Sequence, residues 1–174
     1  MRKILLAIIV SGAMVAANAG SATATLTLNG SVSSSCTQTL SASTLNFTFV
    51  PGSTASPEQT NLTLACTAGS VLSALTAQST NGWSFKGATT NDTVDYTLTN
   101  TGISSAYSAS SSKLATTWSG VTGSTTAISE LTAPITIDTN ADALVIGLEV
   151  APAQASSSLA VDTYSDTITF TSTF

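Results

Sequence analysis

Several stretches of this chain alternate apolar with polar residues at a period of two, which fits pleated strands with one buried face and not amphipathic helices. Leu45, Phe47 and Phe49 share a face, as do Leu62, Leu64 and Cys66, and as do Val94, Tyr96 and Leu98. The pattern returns at Leu144, Ile146, Leu148 and Val150, and again at Ile168 and Phe170, continuing through Ser172 to Phe174. Charged residues make up only 7% of the sequence, so serine and threonine supply most of the polarity. Threonine suits the exposed face of a strand because its branched side chain keeps a favoured rotamer there. Turn formers separate the runs: Pro51-Gly52, Asn81-Gly82, Asn100-Thr101-Gly102, Gly120, Gly123 and the serine-rich residues 108–112 and 156–158. Short alternating strands at such spacing, with no sustained 3.6-residue period, predict an all-β antiparallel β-sandwich.

The N-terminus carries a different pattern. Arg2 and Lys3 precede an apolar stretch at residues 4–10, and Ala17-Asn18-Ala19 forms an A-x-A cleavage site, so residues 1–19 read as an export signal. The apolar stretch is well short of the roughly 20 residues needed to span a bilayer, and no transmembrane anchor is expected. Residues 20–34 then form an extended arm in which Ala22, Ala24, Leu26 and Leu28 alternate with polar residues. Residues 35–174 are expected to form one domain. Cys36 and Cys66 are the only cysteines. In an exported chain they most simply form one intramolecular disulfide, with two free thiols as the alternative.

Composition narrows the function. Once Arg2 and Lys3 leave with the signal, Lys86 and Lys113 stand against nine acidic residues. Such a surface offers no phosphate-binding patch, so nucleic acid is not an expected partner. The chain has no histidine, and neither a metal site nor a cofactor is expected. Enzymatic chemistry would rest on carboxylates and hydroxyls alone, and no catalytic residue is assigned. Asp92 with Asp95, and Asp138 with Asp142, could in principle serve as a glycosidase dyad or calcium site, although solvated loop acids are the plainer reading. Trp83, Phe85, Tyr107 and Trp118 are open to two readings, a sugar-binding patch or core.

The two ends pose a pairing problem. An alternating strand with unpaired backbone groups invites association unless something covers its edge, and the run from Ile168 to Phe174 has neither lysine nor proline to blunt it. Residues 22–28 would extend roughly 23 Å, the length of a sandwich strand. A first strand folding back into its own sandwich and an arm lent to a neighbouring copy satisfy the alternation equally.

Longer motifs resemble a known family. Ser35-Cys36-Thr37, Leu45-Asn46-Phe47 and Leu62-Thr63-Leu64-Ala65-Cys66-Thr67-Ala68-Gly69 are similar to the opening of the spore coat U domain, a family that includes pilins of the archaic chaperone-usher pathway. Val145-Ile146-Gly147-Leu148, Ala151-Pro152-Ala153-Gln154 and Tyr164-Ser165-Asp166-Thr167-Ile168-Thr169-Phe170 resemble its closing pattern. Tyr96-Thr97-Leu98 and Trp118-Ser119-Gly120 match its middle more loosely. The resemblance implies an incomplete immunoglobulin-like sandwich with an N-terminal donor strand, in which Ala22, Ala24, Leu26 and Leu28 fill the groove of the next subunit. It further implies a periplasmic chaperone that pairs alongside Ile168, Phe170 and Phe174, an outer-membrane usher, and a pilus or fimbria at the cell surface supporting adhesion and biofilm formation. A secreted monomeric coat or matrix protein and a carbohydrate-binding module are the competing expectations.

Overall fold

In the computed structural model, residues 27, 29–31, 33, 35–104, 112–120, 122–137 and 143–174 are described. The chain divides into two units, Met1–Val32 and Ser33–Phe174. The described residues of the first, 27 and 29–31, are outside any strand. The expected signal and the arm positions Ala22, Ala24, Leu26 and Leu28 lie outside the described residues.

The second unit is all-β. Its described strands are β1 (Cys36–Leu40), β2 (Glu58–Cys66), β3 (Val71–Leu72), β4 (Ala74–Ser79), β5 (Ser84–Gly87), β6 (Thr93–Ile103), β7 (Ile128–Ser129), β8 (Ile135–Thr136), β9 (Leu144–Pro152), β10 (Tyr164–Ser165) and β11 (Ile168–Thr173). A six-stranded sheet runs β1-β2-β9-β6-β5-β10, a three-stranded sheet runs β11-β4-β7, and β3 pairs with β8. The pairings are antiparallel.

Periodicity explains the layering. β9 sits between β2 and β6, and every second residue, from Leu144 to Val150, is buried. Leu62 lies opposite Ile146, Leu64 opposite Leu144, and Leu98 opposite Val150. These residues pack in one core with Leu75 and Ala77 of β4 and with Leu72 and Ile135 of the small β3–β8 pair. Each such leucine or isoleucine contributes about 1.5–3 kcal/mol through burial.

The two cysteines face each other across β1 and β2 and are joined, with Cα atoms 4.1 Å apart. Thr67 N donates to Ser35 O at 2.9 Å, so the hydrogen-bonded pair is the one before the cysteines. Cys36 and Cys66 therefore occupy the closer, non-hydrogen-bonded position of the ladder.

Two sequence expectations need correction. Asn100-Thr101-Gly102 is not a turn: β6 runs through it to Ile103 with a bulge between Asn100 and Gly102. Gly102 has φ 144°, and its N–H donates to Asn100 Oδ1 at 2.8 Å, so the turn-forming residues kink a strand without ending it. The run Leu45, Phe47, Phe49 keeps its shared, half-buried face but is not a paired strand. Alternation reports which side is buried, and a ladder also needs a neighbour.

Candidate functional site

That unpaired run is one wall of a groove into the sandwich. Its upstream end is tied to β2, where Ala42 N donates to Thr60 Oγ1 at 3.1 Å and Thr60 Oγ1 donates to Ala42 O at 2.9 Å. Its downstream end is tied at Gly52, whose N–H donates to Ala155 O at 3.1 Å. Between these anchors, residues 43–49 make no backbone hydrogen bond to any described residue. Side chains hold the wall instead. The Phe47 and Phe49 rings each lie 5.1 Å from the Phe85 ring, and Phe49 meets Tyr164 edge-on at 6.0 Å. Offset and tilted contacts of this kind add to simple burial.

The opposite wall is the β10–β11 stretch. Inward and outward residues alternate without interruption from Asp162 to Ser172, although β10 pairs with β5 and β11 with β4. The stretch therefore changes sheets near Asp166. Thr167 O and Thr173 O accept from Thr80 N at 2.9 Å and Ser73 N at 2.8 Å, so the odd-numbered residues turn their carbonyls toward β4. By the alternation of an antiparallel ladder, Ile168, Phe170 and Ser172 turn their N–H and C=O groups to the open side. Their side chains face inward, half-buried. Phe174 follows the strand and is 40% exposed.

Core residues form the floor. A cavity of about 310 Å³ is lined by Leu45, Phe85, Tyr96, Leu98, Leu148 and Phe170, among others. It continues into a wider space of about 660 Å³ bounded by Phe47, Phe49, Leu159 and Tyr164. Val161, wholly exposed, lines the wide space. Next to the cavity residues Leu40 and Phe170, Gln38 of β1 bridges to β11: its Nε2 donates to Phe170 O at 3.1 Å while its Oε1 accepts from Ser172 Oγ at 2.7 Å.

A polar clamp holds the floor to the β11 wall. Asp166 Oδ2 accepts from Tyr96 Oη and from Ser79 Oγ, each at 2.6 Å, and Oδ1 accepts from Asn81 N at 2.9 Å. Ser79 Oγ also accepts from Trp83 N at 2.6 Å, which supports the left-handed backbone of Trp83, φ 65°. Burial, then the bond to Asp166, pushes the Tyr96 phenol well above its ordinary range. At the wide end, backbone N–H groups of Thr89 and Thr90 hold the Asp162 carboxyl well below its usual range.

Asp92 and Asp95 each hold a local contact. Asp92 Oδ2 accepts from Ala160 N at 3.0 Å and Asp95 Oδ1 accepts from Ser84 Oγ at 2.7 Å, so both fasten loops and strands. Asp138 and Asp142 lie outside the described residues, as does Tyr107. No group of three or more His, Cys, Asp or Glu that could hold a metal ion occurs among the described residues. Trp83 and Trp118 are wholly buried in the core, and Phe85, 9% exposed, lines the floor of the groove. Among the described residues, no helix is long and apolar enough to cross a membrane.

Of the residues singled out in the sequence, Ile168 and Phe170 line the groove wall, and the disulfide fixes the strand that leads into the other wall. Gln38 and Tyr164 were not singled out as site residues. Gln38 breaks an alternating inward face between Cys36 and Leu40, and Tyr164-Ser165-Asp166 is part of the closing motif; those were the available signals.

The described body is thus an antiparallel β-sandwich with one long opening into its core. No family model matches the chain, and no curated protein matches it. Among solved structures, it is similar to a chain of the CsuC–CsuE chaperone–tip adhesion subunit pre-assembly complex from archaic chaperone-usher Csu pili of Acinetobacter baumannii, at 18% identity and a TM-score of 0.45. The match covers 80% of this chain and 40% of that one, so the chain spans less than half the length of the structure it matches.

Proposed function

We propose that the chain is a structural subunit of a bacterial surface pilus or fimbria, and that the groove accepts an extended strand from another polypeptide. One observation carries the reading: two extended walls, residues 43–49 and the open side of β11, face a core-floored groove with their backbone groups largely without partners among the described residues. Buried or half-buried backbone without partners is costly, and one inserted strand would supply ladder partners to both walls while its alternate side chains cover the floor. The resemblance of the cysteine, Pro-Ala-Gln and Tyr-x-Asp segments to spore coat U domain pilins supports the same reading.

On this view the occupant in the assembled fibre is the arm of a neighbouring copy, with Ala22, Ala24, Leu26 and Leu28 inward. Before assembly, a periplasmic chaperone occupies the groove beside Ile168, Phe170 and Phe174, and an outer-membrane usher receives the pair. Head-to-tail contacts of this kind do not close, so they propagate a fibre, which serves adhesion and biofilm formation. The role is assembly without catalysis. A self-sufficient secreted coat protein would have no use for such an opening.

Deleting residues 22–28 tests the proposal. The deletion chain is expected to fold and to remain chaperone-bound or monomeric, without the denaturation-resistant ladder that the full chain gives on a gel. Normal fibres from the deletion chain would refute the reading.

A further inference from the structure

Gln38 is an anomaly on its strand. Cys36, Gln38 and Leu40 lie opposite Cys66, Leu64 and Leu62, so all three face the interior side of the sheet. Cys36 and Leu40 are half-buried there, whereas Gln38 remains exposed and reaches the Phe170–Ser172 end of the β11 wall. Its amide orientation follows from its partners. The Phe170 carbonyl can only accept, so Nε2 must point to it, and Oε1 is left for the Ser172 hydroxyl. The carbonyl it occupies is one of those that β11 turns to its open side, where a paired strand would place a backbone N–H.

Resting on the strand-accepting reading above, we propose that Gln38 is a side-chain stand-in for one ladder bond of the missing strand: it holds the Phe170 carbonyl while the groove is empty and releases it to the incoming strand. Among the described residues, no side chain or backbone group plays this part at residues 43–49 or on the open side of Ile168. An arriving strand therefore seats first at the wide, aromatic end, where both edges are free, and displaces Gln38 last. The side chain also blunts the β11 edge, much as inward-pointing polar residues protect natural edge strands. A simple strap between β1 and β11 would make the same two hydrogen bonds, and the two roles differ in what removing the strap does to strand binding.

The test uses the full-length chain and a fluorescent synthetic peptide of residues 20–31 as the probe. Gln38→Ala removes the stand-in, Gln38→Glu replaces the donor with a carboxylate that repels the Phe170 carbonyl, and Ser172→Ala removes only the group that orients the amide. The proposal expects roughly 2- to 10-fold tighter peptide binding for the Gln38 variants, the worth of one competing hydrogen bond. A smaller change in the same direction is expected for Ser172→Ala. Binding that is unchanged or weaker in variants that keep their disulfide and circular dichroism would leave Gln38 as a strap and overturn the proposal. Failure of the unmodified chain to bind the peptide would instead sink the strand-accepting reading, and this inference with it. Should Gln38→Ala not fold, Gln38→Glu and Ser172→Ala decide the matter.

Discussion

Tyr96 Oη and Asp166 Oδ2 lie 2.6 Å apart and join the large sheet to the stretch where the chain passes into the small one. Tyr96 is 4% exposed, so its hydroxyl would have little solvent to replace this partner. Tyr96→Phe should lower unfolding stability by about 1.5–3 kcal/mol, the usual worth of a hydrogen bond to a charged group, read from urea denaturation. The phenol's raised pKa adds a second readout. A folded-state pKa above the unfolded value gives stability that is complete below about pH 10 and is lost as pH rises beyond it. Tyr96 should therefore fail to ionise in an ultraviolet titration until the protein unfolds.

Glu130 should make the protein less stable in alkali. Its side chain is 1% exposed, neither carboxylate oxygen has a hydrogen-bond partner among the described residues, and burial pushes its pKa up to about 8. Below pH 4.5, the ordinary value for the group, both folded and unfolded forms hold the proton. As pH rises from there to about 8 the unfolded chain releases it first, so stability falls, and above that range the loss is complete. The whole shift would correspond to about 5 kcal/mol, part of which solvent screening removes. Glu130→Gln should flatten the pH dependence and raise stability at pH 9 on the order of 2 kcal/mol, measured by chemical denaturation across pH.

The disulfide closes a span of 30 residues. Chain-entropy arguments give about 3–4 kcal/mol for a loop of that size. Cys36→Ser paired with Cys66→Ser should lower stability by about that amount. Because β1 is the outermost strand of its sheet, the loss should appear first as faster amide exchange in Cys36–Leu40.

Amide exchange also reads the groove directly. Amides of residues 43–49 should exchange quickly in the empty protein, since no described acceptor protects them, while those of β9, paired on both sides, should be among the slowest. Addition of the peptide of residues 20–31 should slow residues 43–49 and the Ile168, Phe170 and Ser172 amides. No change there would argue against a strand seated between the two walls.

The sequence made the buried faces legible because alternation is local information. Val94, Tyr96 and Leu98, and the run from Leu144 to Val150, point inward as their spacing requires. Partnership was not legible. Leu45, Phe47 and Phe49 carry the same signal as β9, yet only a neighbour across the sheet distinguishes a ladder from a bare wall. Asn100 and Gly102 misled because a bulge and a turn draw on the same residues. Asp166 stood in a recognisable motif, but its reach to Tyr96 and Ser79 depends on a three-dimensional change of sheets. Gln38 looked like one more polar residue among threonines until its register with Leu64 turned it inward.

Cys36 is the first residue of β1, and its covalent bond to Cys66 has a mechanical consequence. Tension pulling on the backbone from upstream meets that cross-link before it meets any residue of the groove. The load passes into β2 and across to β9, deep in the sheet. Backbone tension from upstream therefore bypasses the segment carrying Gln38, Leu45 and Phe47 instead of peeling it away from its β1 end.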